Sequence, residues 1–256
     1  RRDNPHKAYI TIIEGCDKSC AYCVVPFTRG PERSRTSESV MQEAHRLAAA
    51  GYTSVQLLGQ NVNSYRDPSP AGLDFAALLR RIAQVPGFKR VSFTTSHPRD
   101  FGKSIIAAID ENPSLCNYVH LPVQSGSSSV LSAMQRLYTR DEYMRRIEWM
   151  KKSPRNIAIS TDIIVGFPGE THEQFMQTYH LLEELKLDKA HLARYSPRPN
   201  TVSARKMDDD VSDKDKHDRL ALLEDLQARI VGEINGRYLG QTVEVLVEEQ
   251  HKGKWR

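Results

Sequence analysis

Three of the chain's four cysteines fall within eight positions, in Glu14-Gly15-Cys16-Asp17-Lys18-Ser19-Cys20-Ala21-Tyr22-Cys23. Thiolates are soft metal ligands, and three on one short loop can hold a metal centre while leaving one coordination position open for a small molecule. From spacing alone three readings stand: an iron-sulfur cluster, a zinc ion, or thiols without a ligand. A structural zinc wants a fourth ligand, which would have to be Cys116 or a histidine, because no second close cysteine pair accompanies the first three. Cys116, in Asn112-Pro113-Ser114-Leu115-Cys116, reads as a small buried apolar residue where a helix exits into a strand. Disulfides are not expected. Cysteine use is low for a stapled secreted domain, and the opening Arg1-Arg2-Asp3-Asn4-Pro5-His6-Lys7 lacks the pattern of a signal peptide, so a reducing, cytoplasmic setting is expected.

Composition narrows the partners only a little. The net charge of +4, from 36 basic against 32 acidic residues, permits a nucleic-acid partner without requiring one. No run of eighteen apolar residues occurs, so no membrane span is expected. A chain of 256 residues with 39% hydrophobic content can bury one large core, or one core plus a fragment of another.

The elements that must position the cysteines are legible as a repeat. Six β-rich apolar runs, at 8–13, 54–58, 90–95, 118–123, 158–165 and 190–195, are each followed by helix-period or capping signals. Ser37 to Ala50 places Val40, Ala44 and Leu47 on one face, and Phe75, Leu78, Leu79 and Ile82 mark the next helix. Thr139-Arg140-Asp141-Glu142 and Thr171-His172-Glu173-Gln174 have capping-box spacing. Polar and Gly-rich loops follow the strands, where parallel βα architectures build their active face. The expected fold is α/β, a partial (βα)6 parallel barrel over residues 1–211. A long helix and linker at 212–240 is expected to pack on it. Residues 241–256, with the strand-like Thr242 to Val247, read as the start of an incomplete β-domain.

Cys16-x-x-x-Cys20-x-Tyr22-Cys23, with an apolar strand before it, resembles the cluster loop of radical SAM enzymes. Further stretches resemble the methylthiotransferase branch of that family. They include Cys23-Val24-Val25-Pro26-Phe27-Thr28-Arg29-Gly30, Leu57-Leu58-Gly59-Gln60-Asn61-Val62-Asn63 and Thr95-Ser96-His97-Pro98. His120-Leu121-Pro122-Val123-Gln124-Ser125-Gly126-Ser127, Thr161 to Thr171 and Tyr195-Ser196-Pro197-Arg198-Pro199 complete the set. The nearest likeness is to MiaB-type tRNA methylthiotransferases, which modify isopentenyl-adenosine beside the anticodon. The branches acting on threonylcarbamoyladenosine tRNA or a ribosomal protein share the skeleton, and a zinc-stabilised RNA-binding module is the alternative from another class.

The resemblance implies a 4Fe-4S cluster on Cys16, Cys20 and Cys23, with S-adenosylmethionine on the iron left open. No catalytic residue beyond the cluster is implied. SAM-side positions would be Tyr22, Gly59, Gln60, Asn61, Gln124, Ser125, Asp162 and Tyr195, each with an ordinary packing or capping role as its alternative. Arg35, His97 and Arg99 would be candidates for RNA phosphate or the target base, against plain surface solvation. Implied partners are a tRNA anticodon stem-loop and an electron donor such as flavodoxin or ferredoxin. The family also carries a second cluster on a separate N-terminal domain and a C-terminal TRAM domain, so this chain is expected to be a core cut from a longer protein. One departure stands out: strand six reads His191-Leu192-Ala193-Arg194, where the family usually has aromatics and a lysine.

Overall fold

Parallel strands cannot be joined by a tight hairpin, so each must return through a crossover, and here the crossovers are helical. The computed structural model describes residues 4–70, 72–243, 250, 251 and 253–255. Strands β1 (Lys7–Thr11), β2 (Ser54–Leu58) and β3 (Arg90–Phe93) form one parallel sheet in that order. Strands β4 (Tyr118–His120), β5 (Ala158–Val165) and β6 (Lys189–Arg194) form a second. A single parallel bridge between Val91 and Leu115 joins the two, through Val91 N–H to Ser114 O at 2.7 Å and Cys116 N–H to Val91 O at 2.8 Å. Chain order is therefore spatial order across all six strands. With right-handed crossovers, that order keeps the helices on one face and curls the sheet into a partial barrel.

The helices are α1 (Ser37–Ala49), α2 (Phe75–Ala83), α3 (Lys103–Glu111), α4 (Ser128–Ala133), α5 (Arg140–Lys151), α6 (His172–Leu185), the short α7 (Val202–Lys206) and the long α8 (Asp213–Gly236). Both capping boxes form, opening α5 and α6. The core lies between sheet and helices, where Ile10, Val55, Leu57, Val91, Val119 and Ile163 meet Leu47, Leu79, Ile109, Ile147 and Leu182. Leu223, Leu226 and Ile230 bring one stripe of α8 into the same cluster. Alternation in the strands leaves the opposite face polar: Gln56, Ser92, His120, Asp162 and His191 all avoid full burial. Among the described residues, no helix is long and apolar enough to cross a membrane.

Several boundaries differ from the sequence reading for local reasons. The first strand stops at Thr11, and Ile13–Glu14 pairs antiparallel with Arg33–Ser34, closing the base of the cysteine excursion. Strand β4 ends at His120 rather than residue 123, because Pro122 has no N–H for the ladder and Gln124 takes φ 76° before rejoining β5 opposite Ile163. The one-turn helix Val25–Arg29 was not signalled by the spacing. Helix α8 stops at Gly236 rather than Tyr238. Of the strand expected at 242–247, residues 244–247 lie outside the described residues.

Gly126 gives a test of how tightly β4's exit packs on α6. A Cβ there would stand 2.5 Å from Gln177 O and 2.6 Å from Thr178 Cα, both backbone atoms. Gly126→Ala should lower the unfolding free energy by about 1–3 kcal/mol. Gly232→Ala, in α8 with nothing near its Cβ, should be neutral or stabilising by up to about 1 kcal/mol. Urea titration of both variants reads the difference.

Candidate cluster loop and adjoining cavity

The cysteine loop leaves the sheet at Gly15, where φ is 76° and a Cβ would collide with the Pro31 carbonyl oxygen at 2.1 Å. Its backbone is then tied to four other parts of the fold. Gly15 N–H donates to Gln60 Oε1 at 2.7 Å, and Cys16 N–H donates to Gly30 O at 3.2 Å. Lys18 pairs with Asp100 at 2.8 Å, and the same carboxylate oxygen accepts from Asn61 Nδ2 at 2.8 Å. Ala21 N–H reaches Met134 O at the end of α4, while Ala21 O accepts from Ser203 N–H in α7. Cys23 N–H turns back onto Cys20 O at 3.0 Å.

Cys20 is buried and Cys16 and Cys23 are half-buried, all as free thiols. Burial pushes the Cys16 and Cys23 thiols above their ordinary range, and the backbone N–H groups of Lys18 and Val25 only partly offset it. Thiolates in this loop therefore need a cation or metal to compensate them. Among the described residues, the one trio of metal-ligating side chains with donor atoms all within 4.8 Å of one another is His120, Asp162 and His191. The three cysteine sulfurs fall outside it. Three thiols on one loop suit a cluster that leaves one iron open, or a zinc completed by a further ligand.

Arg136 stands behind this loop, and nothing in the spacing singled it out. Its guanidinium is buried and donates to Cys20 Sγ at 3.3 Å, Tyr22 Oη at 3.4 Å, Tyr138 Oη at 3.0 Å and the Pro122 carbonyl at 3.0 Å. Burial raises the Tyr22 phenol above its ordinary value, so it stays protonated, and its ring meets Phe167 edge-on at 6.5 Å. Phe167 in turn packs on Tyr195 at 5.3 Å.

Tyr22, Gln124, Asp162 and Tyr195 line one cavity of about 380 Å³, together with His191 and Arg198. Gly59, Gln60 and Asn61 are elsewhere on the loop's border. A Cβ on Gly59 would strike Ile13, Gln60 holds Gly15, and Asn61 is buried with its Oδ1 unpartnered. Ser125 turns away from the cavity toward α6, where its Oγ lies 3.3 Å from Thr178 Oγ1. Arg35 is spent inside the fold, on Thr11 O, Glu43 and Ser39. Arg99 is exposed, and its N–H donates to Nδ1 of the buried His97. Cys116 is half-buried rather than fully buried.

Comparison with known proteins gives three findings. The profile of the Radical SAM superfamily matches residues 10–182. A protein of Solibacter usitatus (strain Ellin6076) named tRNA-2-methylthio-N(6)-dimethylallyladenosine synthase is 60% identical over 257 residues, covering 100% of this chain and 58% of its own length. One of the same name from Koribacter versatilis (strain Ellin345) is 54% identical, covering 99% of this chain and 57% of its own. The chain thus spans under two thirds of the length of these curated relatives. In fold it is similar to coproporphyrinogen III oxidase (HemN) of Escherichia coli, a radical SAM enzyme, with TM-score 0.63, 16% identity and coverage of 90% of this chain and 54% of that one.

His97 supplies a pH test. Burial first, then the positive charges of Arg136 and Lys18, lowers its imidazole to about 2, so the ring is neutral in the fold. The unfolded chain takes up that proton below about 6.5. Its contribution to stability is therefore complete above about pH 6.5 and is lost as pH falls toward 2. His97→Gln should flatten the acid limb of stability against pH by about one proton, read by urea unfolding from pH 7 to pH 4.5.

Proposed function

The chain belongs to the radical SAM superfamily, and from that premise we propose that it is the SAM-cleaving core of a tRNA methylthiotransferase acting on isopentenyl-adenosine beside the anticodon. The observation that carries the reading is the three-thiol loop, whose Tyr22 lines a cavity together with Gln124 and Tyr195. Cys16, Cys20 and Cys23 would hold a 4Fe-4S cluster. When bound, that cluster supplies the electron that breaks a carbon-sulfur bond of S-adenosylmethionine.

The chain's own residues do the positioning. Arg136 holds Cys20 and Tyr22 in fixed relation to the strand β4 exit, and Gln60 holds the loop's first turn. Tyr22 and Tyr195 line the cavity and are braced from behind by the buried Phe167 ring, an aromatic border that suits an adenine ring. Gln124, buried and left-handed, lines that cavity. Asp162 borders the same space, but its carboxylate is turned to His120. Arg194 and Arg198 edge the cavity and suit RNA phosphate. Arg35 is not proposed as an RNA contact, since both its terminal nitrogens are bonded inside the fold.

The names of the relatives favour the isopentenyl substrate over threonylcarbamoyladenosine or a ribosomal protein. The second, sulfur-supplying cluster and a flavodoxin- or ferredoxin-like donor remain part of the proposal, as partners of this core. Anaerobic reconstitution should load about four irons and four sulfides per chain, and dithionite with SAM should then yield deoxyadenosine. Cys20→Ala should drop both to background. One zinc held by the three thiols, with no iron uptake and no SAM cleavage, would falsify the reading.

A further inference from the structure

The geometry points to a second metal site, built apart from the cysteine loop: we propose that His120, Asp162 and His191 bind one divalent first-row transition ion on the polar face of the partial barrel. This inference does not depend on the proposed reaction.

Three adjacent strands supply one ligand each. In the β5–β6 register Asp162 lies opposite His191, and in the β4–β5 register His120 lies opposite Ser160, two residues from Asp162 on the same face. Pleating therefore projects all three side chains to one side. Their donor atoms all lie within 4.8 Å of one another, with His120 Nε2 3.3 Å from Asp162 Oδ2 and the two imidazole centroids 5.8 Å apart. Ligands at 2.0–2.2 Å from one ion stand roughly 3–3.6 Å apart, so about an ångström of closure is required. His191 can supply it, being exposed and without a hydrogen-bond partner among the described residues.

The surroundings supply what an imidazole ligand needs. His120 Nδ1 is 2.9 Å from Ser160 Oγ, which is 2.6 Å from Tyr118 Oη. If Ser160 donates to Tyr118, it accepts from Nδ1–H, and the Nε2 lone pair is left for a cation. With the two hydroxyls reversed, Nε2 carries the proton and donates to Asp162. Without an ion only the second arrangement puts a proton between Nε2 and the Asp162 carboxylate; in the first, two acceptors face each other and a bound cation satisfies both.

Two neutral imidazoles and one carboxylate suit zinc, iron(II) or nickel over magnesium and calcium, which prefer oxygen throughout. Three protein ligands leave a position open. Asp162 and His191 both line the 380 Å³ cavity, so that position takes water or a nitrogen or oxygen donor of whatever occupies it. An ion pair of His120 with Asp162 alone would account for their contact, but it gives His191 no part.

His191 is therefore the residue that decides. Cluster-loaded protein would be titrated with zinc by calorimetry, and its metal content measured after desalting. One zinc beyond the cluster metal is expected in the native chain. His191→Ala and Asp162→Asn should each weaken it at least about tenfold, and Ser160→Ala should weaken it less. Cobalt(II) added to a Cys16→Ala/Cys20→Ala/Cys23→Ala chain should give visible d–d bands without a thiolate charge-transfer band. No zinc beyond the cluster, unchanged affinity in His191→Ala, or binding that disappears with the three thiols would each overturn the site. None of these outcomes bears on SAM cleavage, so the two readings fail separately.

Discussion

A guanidinium buried in protein must find an acceptor for its donors, and Arg136 is the point from which the site is assembled. A charge taken out of water costs several kcal/mol unless it is paired and hydrogen-bonded. Here the acceptors come from the cysteine loop, the exit of β4 and the turn after α4. Satisfying one side chain thus forces three separate segments to converge. The sulfur of Cys20 and the phenol of Tyr22 are located by that requirement rather than by any feature of their own loop. Positive charge beside the thiols also opposes the burial that raises Cys23, and it does so whether or not a metal is bound.

A second buried pair performs the same service on the far side of the cavity. Glu170 accepts from Gly166 N–H at 2.7 Å and pairs with Arg219 of α8 at 2.8 Å, both side chains nearly out of solvent. Lys216, one turn earlier, lies over the Tyr195 ring and reaches Asp209. The long helix therefore holds the loop after β5 by charge as well as by its apolar stripe. Gly166 has no room for a side chain there, since a Cβ would meet Lys216 Cγ at 2.3 Å.

Periodicity made the architecture legible, because each strand and helix announces its buried face locally: Val55 and Leu57 alternate, and Val40, Ala44 and Leu47 recur at helical spacing. The thiol loop was legible for a similar reason, since its ligands are neighbours in sequence. Arg136 was not legible, because a lone arginine after Met134 looks like any surface residue until its acceptors, from Cys20 to Pro122, are brought to it. Ser125 and Arg35 show the reverse. Their types and positions invite a ligand, but Thr178 and Glu43 reach them first. His120 and His191 are seventy-one positions apart; only the strand register puts them together, and register is a tertiary property. The unusual His191 was visible as a departure, though its neighbour was not.

Among the described residues, the strand pairing between the two three-stranded sheets runs through the backbone of Val91, with one bond to Ser114 and one from Cys116. That junction is a seam. The cysteine loop crosses it from above: at Gly15 and Lys18 it is fastened to the first sheet's loops, and at Ala21 to α4 and α7 of the second half. Cys16 stands on one shore and Cys20 and Cys23 on the other. A centre shared by these three thiols would be gripped from both halves of the fold and would brace the junction between them.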